Sequence, residues 1–163
     1  CIRDSLFGAM GDGVLFSADR EKYIEFCKRE NHKTLLGYGL ALSPEQLAAV
    51  DKEIAKLMSL TVPWDPPKTV KPKRPGIDKE EPMYAYKLKQ EADGRLYKFT
   101  SSKFKTYFVM STNCVLLADT IVGAAGTDIL SVRGFISPGT YQDYLDKEFE
   151  RPHSLVVTKR VYQ

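Results

Sequence analysis

Six of the nine prolines lie between positions 61 and 82, at Pro63, Pro66, Pro67, Pro72, Pro75 and Pro82. Proline removes a backbone donor, fixes φ and pushes the residue before it away from helical angles. The spacing therefore predicts a loop over 61–82 with no regular element. A connection of that length inside a compact chain is usually functional. It also holds the basic run 68–74, read as a solvated surface, and Trp64, the single tryptophan, read as the residue that packs the loop onto the body. Neither flank carries a full core, so residues 1–163 are expected to form one domain with a Pro/Lys-rich loop at 61–82.

The strongest local signal sits just before that loop. Ser43-Pro44-Glu45-Gln46 combines a capping serine, a proline suited to the first helical position and the glutamine of a capping box. Leu47, Val50, Ile54, Leu57 and Met58 then repeat at helical spacing, which predicts a helix to about Leu60 with Asp51, Lys52, Glu53 and Lys56 outward. Further helices are predicted over 19–28, from Cys114 to Gly123 or Gly126, and from Ser137 to the break at Pro152. The last would carry Tyr141, Tyr144, Leu145 and Phe149 on its apolar side. Gly11-Asp12-Gly13 reads as a turn. Extended stretches are expected at 14–16, 34–42, 83–88, 95–100, 106–111 and 154–162. The fourth and third of these would flank a turn at Ala92-Asp93-Gly94. The class is α+β, an antiparallel sheet packed against three or four helices.

Composition narrows the function. The chain has 163 residues with 43% hydrophobic and 28% charged, an ordinary globular balance. A net charge of +3 is too small to indicate nucleic acid. No apolar run reaches the roughly 18 residues of a spanning helix. Cys1, Cys27, His32 and Cys114 lack metal-ligand spacing, and no cofactor or phosphate loop is expected. Asp143, Asp146, Glu148 and Glu150 form an acidic cluster, again without ligand spacing, and Asp119 reads as a solvated or capping residue. Three cysteines leave one unpaired. A Cys1–Cys27 disulfide would fit an exported chain, as would lipid modification of a mature terminal Cys1.

Cys114 is the candidate of greatest chemical interest. It follows Asn113 and opens the apolar run Val115-Leu116-Leu117-Ala118-Asp119-Thr120-Ile121-Val122. A helix N-terminus offers unpaired N–H groups and partial positive charge, and both favour the nucleophilic thiolate. The same residue could equally be a small packed side chain.

The order of these segments carries a resemblance. A Ser-Pro-Glu-Gln helix start, a Tyr-rich strand region, Ser111-Thr112-Asn113-Cys114 opening an apolar helix, and Ile136-Ser137-Pro138-Gly139-Thr140-Tyr141 follow one another. This resembles the circularly permuted papain-like proteins, bacterial relatives of cell-wall peptidases and of lecithin:retinol acyltransferase, over roughly 13–145. The resemblance implies Cys114 as nucleophile, an oxyanion held by its own N–H and a nearby donor, and no metal. It implies hydrolysis or transfer of an amide, thioester or ester acyl group. The substrate would be a peptide, peptidoglycan or lipid acyl compound, in an exported protein of the periplasm or cell surface. A His must activate the thiol. His32 precedes Cys114 as the permuted order requires. His153 follows it, and a His upstream of Cys1 is the third alternative. A catalytically inactive binding module on the same scaffold, using the loop 62–82 for contact, is the second functional expectation. An unrelated α+β domain in which Cys114 only packs is the third.

Overall fold

A computed structural model describes residues 10–31, 34–70, 80–108, 114–126 and 138–163. The described residues form five helices and four small antiparallel sheets, an α+β architecture. Strand β1 (Met10–Asp12) pairs with β8 (Thr106–Phe108). Strands β2 (Val14–Ser17), β7 (Arg95–Phe99) and β4 (Thr61–Pro63) form a three-stranded sheet with β7 central. Strand β3 (Leu35–Leu40) pairs with β9 (Val156–Tyr162), and the two-residue β5 (Thr69–Val70) with β6 (Glu81–Pro82).

Helix α1 (Arg20–Asn31) contributes Phe26 and Cys27 to one core, with Leu88 and Ala92 from the region of α3 (Tyr84–Glu91). Phe16, Ala18, Tyr23, Leu35 and Tyr84 pack around it. Cys27 carries a free thiol and is 2% exposed. Cys1 lies outside the described residues. Ion pairs Lys22–Asp93, Arg29–Glu91 and Lys87–Glu30 run along the same helix–helix seam. A second core joins Leu57, Phe99 and Phe104, with Leu15, Leu60, Leu116, Leu117 and Ile121 around it. Leu57 belongs to α2 (Pro44–Ser59), and the last three to α4 (Cys114–Gly123). The cap predicted for α2 is present: Gln46 N–H donates to Ser43 Oγ at 3.2 Å and Ser43 N–H to Gln46 Oε1 at 2.9 Å. Its apolar stripe is less buried than the spacing suggests, since Leu47 is 53% and Ile54 40% exposed.

Three expectations are corrected. Residues 83–88 are not a strand, because α3 begins at Tyr84. Ala85, Leu88 and Ala92 fall at helical spacing and are each 0% exposed; that period outweighs the β preference of the two tyrosines. Gly11-Asp12-Gly13 is not a turn but β1 and its exit. The glycine is needed there for close approach, as a Cβ on Gly13 would sit 1.7 Å from the Phe104 carbonyl oxygen. The segment 61–82 is not devoid of strands: β4 pairs with β7 and β5 with β6. Proline is tolerated in them because β4 is an edge strand and β6 is two residues long. Trp64 is half-buried and ties this segment down. Its backbone N–H donates to Leu96 O at 2.9 Å and Lys98 Nζ lies 4.7 Å from its ring centre.

Candidate functional site around Cys114

Helix α4 starts at Cys114. Val115 is buried, and Leu116, Leu117 and Ile121 pack on the core of Leu57, Phe99 and Phe104. That burial fixes the helix axis and leaves the first residue at the surface, where Cys114 is exposed. The other end is pinned by Gln46, whose Nε2 donates to Ala125 O at 3.2 Å, and by Gly126 at φ 71°. The segment before Cys114, residues 109–113, lies outside the described residues.

Two phenols share the electrostatic neighbourhood of Cys114. Burial pushes the Tyr107 hydroxyl up from its ordinary range, and the nearby Cys114 charge pushes it further. Tyr107 sits on β8, directly upstream of the helix. Tyr23 on α1 is raised strongly, first by burial, then by its hydrogen bond to Cys27 and by the charges of Cys27, Tyr84 and Cys114. Its ring is held against Phe16 at 5.4 Å between centroids. Both phenols therefore remain protonated near neutral pH and can donate to an anion. Of the two, sequence reasoning missed Tyr23 as a site residue, while Tyr107 could be read either as core or as lining a groove beside Cys114. Tyr107 lay within seven residues of Cys114 and was legible as an aromatic beside it; nothing local pointed to Tyr23, ninety-one positions away.

The predicted bases fare differently. His32 lies outside the described residues. His153 is in the turn between α5 (Pro138–Glu150) and β9, at φ 62°. It is exposed, and among the described residues no hydrogen bond joins it to Cys114. Asp119 lies on α4, half-buried, and its charge adds to the burial that raises the Tyr141 hydroxyl. The acidic cluster is structural in part. Asp146 accepts from Tyr38 Oη at 2.7 Å and Lys159 Nζ at 2.5 Å, and Glu148 pairs with Arg151 at 2.6 Å. No group of three or more His, Cys, Asp or Glu among the described residues is arranged to hold a metal. No helix among them is long and apolar enough to cross a membrane.

No protein-family model matches the chain, and no curated protein and no solved structure matches it.

Proposed function

We propose that this chain is a thiol-dependent hydrolase or acyltransferase with Cys114 as nucleophile, built as a permuted papain-like scaffold. The observation that supports the reading best is an exposed cysteine at the first residue of a well-packed helix. The helix N–H groups favour the thiolate and can also bind an oxyanion. Tyr107 or Tyr23 supplies a protonated donor nearby. In the proposed reaction a base, assigned to His32, takes the thiol proton. The thiolate attacks an acyl carbon of an amide or ester, and the tetrahedral oxyanion collapses to a thioester. The imidazolium returns the proton to the departing amine or alcohol. Water, or an acceptor alcohol or amine, then resolves the thioester. Peptide, peptidoglycan or lipid acyl groups of the bacterial envelope are the proposed substrates.

The test is incubation of the native protein with p-nitrophenyl acetate, followed by peptide mapping. An acetyl thioester on Cys114, lost in Cys114→Ala and in His32→Ala, is expected. Acetylation of lysines alone, at a rate equal in Cys114→Ala, sinks the reading. A non-catalytic binding module on the same scaffold is favoured by one observation, the exposed position of His153 without a hydrogen bond to Cys114 among the described residues. In that case Cys114→Ser leaves partner binding unchanged, and removing the loop 62–82 abolishes it.

A further inference from the structure

Among the described residues β9 is the longest strand, and its only neighbour there is β3. An open strand edge offers a row of backbone donors and acceptors to another chain, and proteins commonly block such edges with lysines or bulges. Here the register passes from Gly39↔Thr158 to Leu40↔Val156, so Val157 is left out as a bulge. The uninterrupted edge is therefore 158–162. Lys159, the residue placed to guard it, is turned away. Its Nζ lies 2.5 Å from Asp146 of α5 and 5.8 Å from the Tyr38 ring centre.

The two sides of this edge differ. Period-two alternation puts Lys159 and Val161 on the α5 side and Thr158, Arg160 and Tyr162 on the other. Val161 is 53% exposed. On the opposite side Arg160 is exposed, and Arg20 Nη2 donates to Tyr162 Oη at 3.1 Å, with Glu21 3.4 Å away. The exposed Arg160 guanidinium and the Arg20–Glu21 ion pair thus flank one side of the edge, and the ribbon residues 35–40 and 156–162 contain no acid. The acids Asp143 and Asp146 belong to the α5 side, where Asp146 is already bound to Lys159 and Tyr38.

We propose that the edge 158–162 of β9 binds an extended peptide as an added strand, with apolar residues beside Val161 alternating with acidic residues beside Arg160 and Arg20. Backbone hydrogen bonds supply the affinity and the alternation supplies the selectivity. A second copy of this chain is a poorer occupant. Antiparallel pairing of two β9 strands centred on the edge sets Arg160 directly opposite Arg160 of the other copy, and like charges directly opposite are unfavourable.

The test uses fluorescence anisotropy of a labelled Val-Glu-Val-Glu-Val-Glu-Val peptide with the full chain. Alternate binding is expected to exceed that of a peptide of equal composition with its valines and glutamates in separate blocks. Arg160→Glu combined with Arg20→Glu should weaken it about tenfold or more, while Cys114→Ala leaves it unchanged. Far-UV circular dichroism confirms that the variant is folded. If the blocked peptide binds equally well, or the double charge reversal has no effect, the proposal is overturned. It is also overturned if sedimentation velocity shows a dimer that competes with the peptide and is insensitive to Arg160→Glu, because a second copy then occupies the edge.

Discussion

Replacing Gly13 by alanine should unfasten the junction between two sheets. A Cβ there would lie 1.7 Å from the Phe104 carbonyl oxygen and 2.9 Å from its carbon, both backbone atoms. Restoring contact to about 3.2 Å means moving one chain by about 1.5 Å, since no rotamer change can relieve a backbone clash. That movement strains two hydrogen bonds, Gly13 N–H to Lys105 O at 2.9 Å and Phe99 N–H to Gly13 O at 3.0 Å. Two hydrogen bonds at about 1 kcal/mol each, with about 1–3 kcal/mol for overpacking, give about 3–5 kcal/mol. For a domain of this size that is a fall in Tm of about 10 °C. Gly11 is the internal control, because a Cβ there meets nothing within 4 Å. Urea unfolding followed by Trp64 fluorescence and by circular dichroism measures both variants. Gly13→Ala should lower the midpoint sharply and Gly11→Ala should leave it near wild type. If the two variants unfold within about 1 kcal/mol of each other, the clash argument is wrong. The consequence also reaches the candidate site. Gly13 clamps Phe104 and Lys105, which lead directly into β8 and Tyr107.

Gly39 makes a second close approach, to a side chain this time. Its Cβ would fall 2.2 Å from Thr158 Oγ1 but 3.5 Å from Thr158 Cβ, so Gly39→Ala should destabilise by about 1–3 kcal/mol and Thr158→Ala should rescue it, which a denaturation double-mutant cycle reads directly. Lys159, first, and Tyr38 hold the Asp146 carboxyl below its ordinary range. A depressed carboxyl stabilises the fold above its unfolded value and loses that contribution as pH falls through the folded value. Asp146→Asn should therefore lower the urea midpoint at pH 7 and converge on wild type in strong acid, below about pH 4. Burial, then the hydrogen bond to Asp146 and its charge, push Tyr38 up to about 12. Its contribution is present below the unfolded value of about 10 and is lost as pH rises through the folded one. Ultraviolet titration should show a phenolate transition near there that is missing in Tyr38→Phe.

The elements that could be read from sequence are those fixed by neighbours within a few positions. The Ser43–Gln46 box specifies the start of α2 through hydrogen bonds spanning three residues, and both are formed. Gly123 and Gly126 mark the end of α4 for an equally local reason. The misread segments depend on remote partners. The sequence Met83-Tyr84-Ala85-Tyr86 looks extended, yet Ala85, Leu88 and Ala92 line one side of a helix because α1 is there to cover them. Gly13 looks like a turn residue, yet its role is to let the carbonyl of Phe104 come close, a contact ninety-one residues away.

The same division runs through the candidate site. The placement of Cys114 at a helix start follows from Asn113 and the apolar run after it, so it was legible. Its surroundings were not, because Tyr23, which feels the charge of Cys114, stands on α1 and packs on the core that holds Cys27. This arrangement makes Cys27 more informative than a buried cysteine ordinarily is. It belongs to the cluster that the Tyr23 ring packs against and so helps set where that phenol sits. Cys27→Ala should leave Cys114 in place while freeing the phenol, whereas Tyr23→Phe removes the hydroxyl altogether. If the phenol serves the Cys114 oxyanion, acetylation of Cys114 by p-nitrophenyl acetate slows more in Tyr23→Phe than in Cys27→Ala. Equal rates in both variants and wild type would confine Tyr23 to a packing role and leave Tyr107 as the donor beside the thiolate.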